Sequence, residues 1–379
     1  MSTVADVVRR HGPAYLTRFG RAVLPSHARA LRDIARCRTE EMGGHIAHCE
    51  DCGAEHSRHH SCRNRACGQC GADRTDAWLR SQRELLLPVR YFHVVFTLPA
   101  ELRFIIRSHQ KPLLAALFRA AFESLSALCC DPRHLGGRVG ALAVLHTWSR
   151  TLDWHPHIHM LVPGGALDDG GAWRTARRRK KEFLVPVKAL AKKFRGRFLF
   201  LARKAVPTVQ LPDLQRKRKW NVFCKPSVQG PERVLEYLGR YVQKTALSNH
   251  AIMGCADRTV AFRYRDSKDQ RVRKMTLPPG EFLRRFLQHV QPRGFHRVRS
   301  YGLLHSSQRV TLRRLQLMLQ PKAPVDSTLE QARVNRRPRC PTCKPERLRV
   351  VRRIAATGSL RPTAVKPNEL PQLARAPPP

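Results

Sequence analysis

The chain has 379 residues, ample for a sizeable core, and carries 71 Lys plus Arg against 28 Asp plus Glu, a net charge of +43. No fold requires that excess; it implies a polyanionic partner, nucleic acid rather than membrane, because there is no basic amphipathic anchor and no apolar run of about 18 residues. The N-terminus lacks a signal-peptide apolar core, which predicts a cytoplasmic protein, and there twelve cysteines point to metal or free thiols rather than disulfides.

Residues 3–36 read as two or three short helices, broken at Gly12-Pro13 and Pro25-Ser26. Arg9, Arg10, Arg18, Arg21 and Arg29 make their polar faces basic, either as solvated faces or as phosphate contacts; the charge of the whole chain favours the second. Cys49-x-x-Cys52 and Cys67-x-x-Cys70 follow, fourteen residues apart. That is the spacing of a structural four-cysteine zinc site, in which each pair forms a knuckle and both close on one tetrahedral ion. Cys37 and Cys62 are left over, and with His45, His48, His56, His59 or His60 they could complete a second site. Arg63 and Arg65 beside the knuckle favour DNA contact over a purely structural module. Residues 73–87 read as a helix. Residues 91–98 are β-rich and apolar, a central strand on which His93 reads as a core histidine. Residues 100–130 read as helices with a break near Pro112. The apolar stretch 113–130 is interrupted by Arg119 and Glu123 and reads as a core helix.

Residues 139–148 and 154–162 read as antiparallel neighbours joined by a loop over 149–153. Side chains alternate along a strand, so His157 and His159 point the same way, about 7 Å apart, able to share one ion. His155 shares that face but lies about 13 Å from His159 along a straight strand, too far to chelate with it. His146, on the neighbouring strand, is the better third ligand. A merely polar strand rim is the plainer reading of the same histidines. Asp168-Asp169-Gly170-Gly171 closes a further hairpin. Residues 174–219 are strongly basic. Arg177, Arg178, Arg179, Lys180 and Lys181 form an unbroken run, and Lys188, Lys192, Lys193, Arg195 and Arg197 lie on an expected helix. Such a run is often only solvated, but beside a nucleic-acid site it tracks backbone phosphates. Residues 231–242 read as a helix, with Pro231 in its first turn and Glu232 at the positive end of its dipole. Tyr237 and Tyr241 are four apart and share a face, which packing alone would also explain. Lys244 follows, placed to offset phosphate charge or to face solvent. Strands over 259–264 and 271–277 and a helix over 279–290 come next. Residues 323–379 are rich in Pro and Arg. Within them Cys340-Pro341-Thr342-Cys343 is a single knuckle that joins Cys37 or Cys62, or stands alone. From about residue 353 the composition predicts a disordered tail.

Four stretches together resemble one family, the His-hydrophobic-His (HUH) two-tyrosine transposases of rolling-circle insertion sequences, named for insertion sequence 91. They are His155-Pro156-His157-Ile158-His159 with Val162-Pro163-Gly164-Gly165, and Tyr237-Leu238-Gly239-Arg240-Tyr241 with Ser248-Asn249-His250. The others are Ser61-Cys62-Arg63-Asn64-Arg65, and Glu281-Phe282-Leu283-Arg284-Arg285-Phe286 leading into Gly294-Phe295-His296-Arg297. The similarity covers roughly residues 10–345. One departure is Ala66-Cys67-Gly68, where the family usually has His-Cys-Pro.

The resemblance implies an α+β fold, an HUH-type antiparallel sheet backed by helices, with an N-terminal zinc-binding module. It implies a helical DNA-contacting arm over 1–36, the zinc module over 37–75, the catalytic domain over 88–300, and a basic C-terminal extension over 301–379. It further implies nicking and joining of single-stranded DNA through a 5′-phosphotyrosine on Tyr237 or Tyr241, with a divalent metal, Mg²⁺ or Mn²⁺, on His157, His159 and His146. Imidazole ligands alone would suit Zn²⁺ or another transition metal better. The single strand would come from host replication or helicase functions, at the bacterial nucleoid. A plasmid-type relaxase or replication initiator shares this chemistry. A non-catalytic zinc-ribbon DNA-binding regulator is the reading from another class. A zinc hydrolase is a third, but it lacks a nearby Glu placed as a base.

Overall fold

The computed structural model of the chain describes residues 2–70, 72–176, 184–212, 220–226, 239, 246–266, 269–320, 340–343 and 348–356. Tyr237, Tyr241, Lys244, the basic run from Arg177 to Lys181 and the expected tail beyond 356 lie outside the described residues. In chain order the helices are α1 (Val4–Phe19), α2 (Pro25–Arg36), α3 (Ala72–Arg83), α4 (Arg103–Ser108), α5 (Gln110–Cys129), α6 (Val187–Ala205), α7 (Pro279–Leu287) and α8 (Arg309–Leu319). The strands are β1 (Gly44–Cys49), β2 (Glu55–His59), β3 (Tyr91–Thr97), β4 (Gly140–Trp148), β5 (Trp154–Pro163), β6 (Gly165–Leu167), β7 (Trp173–Thr175), β8 (Val222–Pro226), β9 (Ile252–Cys255), β10 (Val260–Arg265), β11 (Val272–Leu277), β12 (Val298–Gly302) and β13 (Leu348–Ile354). The fold is α+β, with helices packed on antiparallel sheets. The chain divides into two units, one of residues 72–321 and one that joins 2–71 to 322–379.

The larger unit is built on a five-stranded antiparallel sheet of order β12-β4-β5-β3-β8. Strand alternation sorts its side chains onto two faces. Val94, Phe96, Ala143, Leu145, Ile158 and Met160 point one way, into a core closed by Leu117 and Phe118 of α5 and Phe194 and Phe198 of α6. α5 is long and apolar enough to cross a membrane by composition alone. Its apolar residues are instead spent on this core, with Leu114, Leu117, Phe118 and Leu125 fully buried. On the opposite face, Tyr91, Leu142, Val144 and Leu161 pack with Leu312 and Leu315 of α8. His146, His157 and His159 share the parity of that second face. The expected turn at Asp168 to Gly171 closes the β6–β7 hairpin, with Gly171 at φ +80°, a conformation glycine tolerates. A second sheet, β11-β10-β9, packs Phe262 on Phe282 of α7, ring centroids 6.0 Å apart.

In the other unit, α1 starts at a capping box: the Asp6 amide donates to Thr3 Oγ1 at 3.2 Å and the Thr3 amide to Asp6 Oδ2 at 2.8 Å. The expected break at Gly12-Pro13 is absent, and α1 runs through Pro13 to Phe19. A proline removes one helical hydrogen bond; the cap and the buried stripe Val4, Ala5, Val7, Val8 hold the helix across it. Arg9 is an internal brace here. Its guanidinium donates to the carbonyls of Ala35 and Cys37 at the end of α2, at 2.8 and 3.3 Å. β1 is the centre of a three-stranded antiparallel sheet of order β13-β1-β2. The residues from 301 on are thus shared: the end of β12 and α8 belong to the larger unit, and β13 to the smaller.

Candidate active site

The β4–β5 hairpin sets the geometry. His146 pairs directly with His157 in the ladder, and Val144 with His159. His146, His157 and His159 therefore lie side by side on one face, with ligand nitrogens all within 4.8 Å of one another. Ring centroids are 5.5 Å apart for His146–His157, 4.6 Å for His146–His159 and 4.9 Å for His157–His159. An ion bound at about 2.1 Å to each of three nitrogens needs them about 3–4 Å apart, so the cluster fits one divalent cation with a small closure. His155 is outside this group. The Arg103 guanidinium donates to its Nδ1 at 2.8 Å, and burial with the Arg103 charge lowers its pKa.

Hydrogen bonds at His157 and His159 determine which nitrogen each could offer to a metal. His157 Nδ1 donates to the carbonyl of His155 at 2.7 Å, which leaves Nε2 as the nitrogen free to accept a metal. His159 Nδ1 meets Nε2 of His93 at 2.9 Å, with the two rings stacked. For His159 to ligate through Nε2 it must carry its proton on Nδ1, which makes His93 Nε2 the acceptor. Burial pushes both His93 and His157 down to about 4 from an ordinary 6.5, the neutral form a ligand needs. His93 thus does more than fill the core. Its parity on β3 is visible in the sequence; the β3–β5 pairing that brings it diagonally to His159 is not. The same holds for Arg103, which reaches His155 from α4.

The turn of the hairpin is braced from α7. Leu152 sits at φ +62°, costly for a side chain with a Cβ. His289 donates from Nε2 to the Leu152 carbonyl at 3.1 Å and accepts at Nδ1 from the Thr147 hydroxyl at 3.2 Å. Arg285 donates to the Thr151 carbonyl and pairs with Asp153, both at 3.1 Å. Trp148 stacks on His146 at 4.6 Å. Gly239 is helical and buried, and a Cβ there would lie 2.8 Å from a methyl of Leu79 on α3.

The cysteines of the smaller unit do not combine as their spacing predicts. Cys49 and Cys52 are not brought together with Cys67 and Cys70. Instead there are two four-thiol groups: Cys37, Cys62, Cys67 and Cys70, and Cys49, Cys52, Cys340 and Cys343. The fourteen intervening residues hold strand β2, which carries the chain away from the first knuckle. The end of α2 then delivers Cys37 to the second knuckle: its Sγ is 3.2 Å from that of Cys70 and accepts from the Cys62 amide at 3.4 Å. Asp33 of α2 fixes the loop by accepting from Asn64 Nδ2 at 2.8 Å. Arg63, at φ +53°, and Arg65 are exposed on this loop. His45, His48, His59 and His60 belong to neither group, and His56 touches Cys340 rather than Cys37 or Cys62.

Residues 140–311 match the family model described as "Putative transposase", and residues 7–98 match the one described as "Transposase zinc-binding domain". The "Putative transposase y4qJ" of Sinorhizobium fredii is 40% identical over 321 residues, 79% of this chain and 80% of that protein. The "Transposase for insertion sequence element IS801" of Pseudomonas savastanoi pv. phaseolicola is 29% identical over 292 residues, 71% of this chain and 68% of that protein. The first model spans the histidine hairpin and its α7 brace, the second the Cys37 group, and the curated relatives extend across most of the chain. It is a transposase with a zinc-binding domain, and it belongs to the family of insertion sequence 91.

Proposed function

We propose that the chain nicks and rejoins single-stranded DNA at the ends of a rolling-circle insertion sequence, through a 5′-phosphotyrosine intermediate. The observation that carries this reading is the convergence of His146, His157 and His159 on one face of the sheet. These three would hold a divalent cation, Mg²⁺ or Mn²⁺ by resemblance to the family, which when bound supplies Lewis acidity at the scissile phosphate. His93 keeps the proton of His159 on Nδ1, and the His155 carbonyl keeps that of His157 on Nδ1. Tyr237 or Tyr241 is the nucleophile. Its oxygen bonds to phosphorus as the P–O3′ bond breaks; the phenolic proton is lost and the 3′-oxygen leaves as a hydroxyl. The phosphotyrosine keeps a phosphodiester linkage, so joining by a 3′-hydroxyl needs no ATP. Two tyrosines allow a second cleavage before the first is resolved.

Lys244 offsets phosphate charge, and the run from Arg177 to Lys181 tracks the backbone. Residues 1–36, Arg63 and Arg65 contact the element ends with the zinc module over 37–75. The catalytic domain spans 88–300, and 301–379 is a basic extension. Host replication or helicase functions expose the strand at the bacterial nucleoid.

The test uses labelled single-stranded DNA carrying an element end, with Mg²⁺ or Mn²⁺. His157→Ala and His159→Ala should each abolish cleavage and leave DNA affinity within about twofold, because affinity comes from the basic surface. His146→Ala should be as damaging and His155→Ala less so. Cleavage at the wild-type rate in either of the first two variants contradicts the metal assignment.

A further inference from the structure

We propose that Cys49, Cys52, Cys340 and Cys343 form a second four-thiolate zinc site, separate from the Cys37 group, and that it clamps the C-terminal strand β13 onto β1. The matched zinc-binding segment ends at residue 98, so it contains only half of this site. The four sulfurs lie within 4.8 Å of one another. Cys49 and Cys343 are 3.5 Å apart and Cys52 and Cys340 3.7 Å. With Zn–S bonds of about 2.3 Å, the edge of a regular ZnS₄ tetrahedron is about 3.8 Å, whereas a disulfide is about 2.05 Å. The separations match the tetrahedron and not the disulfide.

The backbone is folded around the group as well. Gly53, at φ +70°, follows the first pair, and its amide donates to the Cys49 carbonyl at 3.0 Å. The Cys49 amide donates to the Ala54 carbonyl at 3.0 Å, so the first knuckle is closed at both ends. Cys49 ends β1 opposite Leu348, the first residue of β13, which brings the second knuckle to the same end of the sheet. His56 on β2 places Nε2 3.3 Å from Cys340 Sγ, where a ring N–H offsets thiolate charge.

Packing supplies the independent reason. Around this end of the sheet, the buried apolar residues among those described are Ala47 and Leu348 with Cys49 and Cys340, the two cysteines at 0% and 1% exposure. Two such side chains are too little apolar surface to hold a strand almost three hundred residues away in sequence. Small cores of this kind are stapled by metal or disulfide, and thiolates in knuckle pairs select zinc. The metal closes a very long loop, the case in which a cross-link restricts the unfolded chain most.

The test is thiol footprinting of the full chain with a maleimide, read by mass spectrometry, with zinc as the only added metal. Cys130, exposed and outside both groups, is the internal control. With zinc bound, Cys49, Cys52, Cys340 and Cys343 should react at least about tenfold more slowly than Cys130; a chelator should release all four together. Cys340→Ser with Cys343→Ser should lower bound zinc by about one ion per chain and expose Cys49 and Cys52 while Cys37, Cys62, Cys67 and Cys70 stay protected. Labelling of Cys340 and Cys343 at the Cys130 rate in zinc overturns the proposal. So does protection that survives the chelator and yields only to a reductant, or an unchanged zinc content in the double variant.

Discussion

Burial holds His93 and His157 at about 4, and also His289 behind the hairpin turn, against an ordinary 6.5. The lowered values have a cost in acid. Above about pH 6.5 these imidazoles are neutral whether the chain is folded or not, and they add no pH dependence. As pH falls below that value the unfolded chain takes up protons that the native state does not, until about pH 4. In the metal-free protein, stability should therefore fall across this window, by at most about 1.4 kcal/mol per pH unit for each such histidine. Denaturation in chelator at a series of pH values checks this, followed by tryptophan fluorescence. All five tryptophans (Trp78, Trp148, Trp154, Trp173, Trp220) lie in the larger unit, so unfolding of the zinc module does not enter the signal. A midpoint that does not move between pH 6.5 and 4.5 would refute the burial argument.

At the scale of elements, the hairpin is legible in the sequence because alternation is a local rule. His157 and His159 share a face by spacing, and the short 149–153 loop makes an antiparallel neighbour of the strand holding His146. The β10–β11 hairpin and α7 are legible for the same reason, each being a short apolar pattern bounded by turn residues. The cysteine partners are not legible. Spacing counts only residues between knuckles, and here the closing ligands arrive from the end of α2 and from residue 340 onward. Nor is α1 through Pro13, where capping and burial outweigh a local breaker. Helix packing around Gly239 gives a further prediction. Leu79 meets the backbone there through a flexible methyl, so Gly239→Ala should be tolerated. Gly239→Leu overfills the contact, at a cost of about 1–3 kcal/mol locally. It should reduce DNA cleavage by at least about tenfold while DNA binding is kept, if this helix carries the nucleophiles. Equal cleavage by Gly239→Leu and wild type would remove the helix from the active site.

For the whole molecule, a net charge of +43 makes affinity for DNA an electrostatic quantity. Six to ten phosphate contacts would weaken binding by about 10³-fold or more between 50 and 200 mM salt. Titrations with single-stranded DNA of arbitrary sequence should show that steep loss, with the same slope for His157→Ala as for wild type. A slope near zero would mean that the charge does not face the nucleic acid. On the proposed reading, binding and chemistry should therefore separate: affinity is spread over many arginines and lysines, and cleavage depends on His146, His157, His159 and the tyrosines.

The central claim is covalent, and it is most directly tested by isolating the denaturation-resistant adduct formed with a labelled single-stranded element end and mapping the modified residue by mass spectrometry. The account predicts a phosphotyrosine at Tyr237 or Tyr241, abolished in the Tyr237→Phe, Tyr241→Phe double variant, which keeps both rings and still binds DNA. An adduct mapped to Tyr264 or Tyr301, or cleavage by the double variant at the wild-type rate, would contradict it.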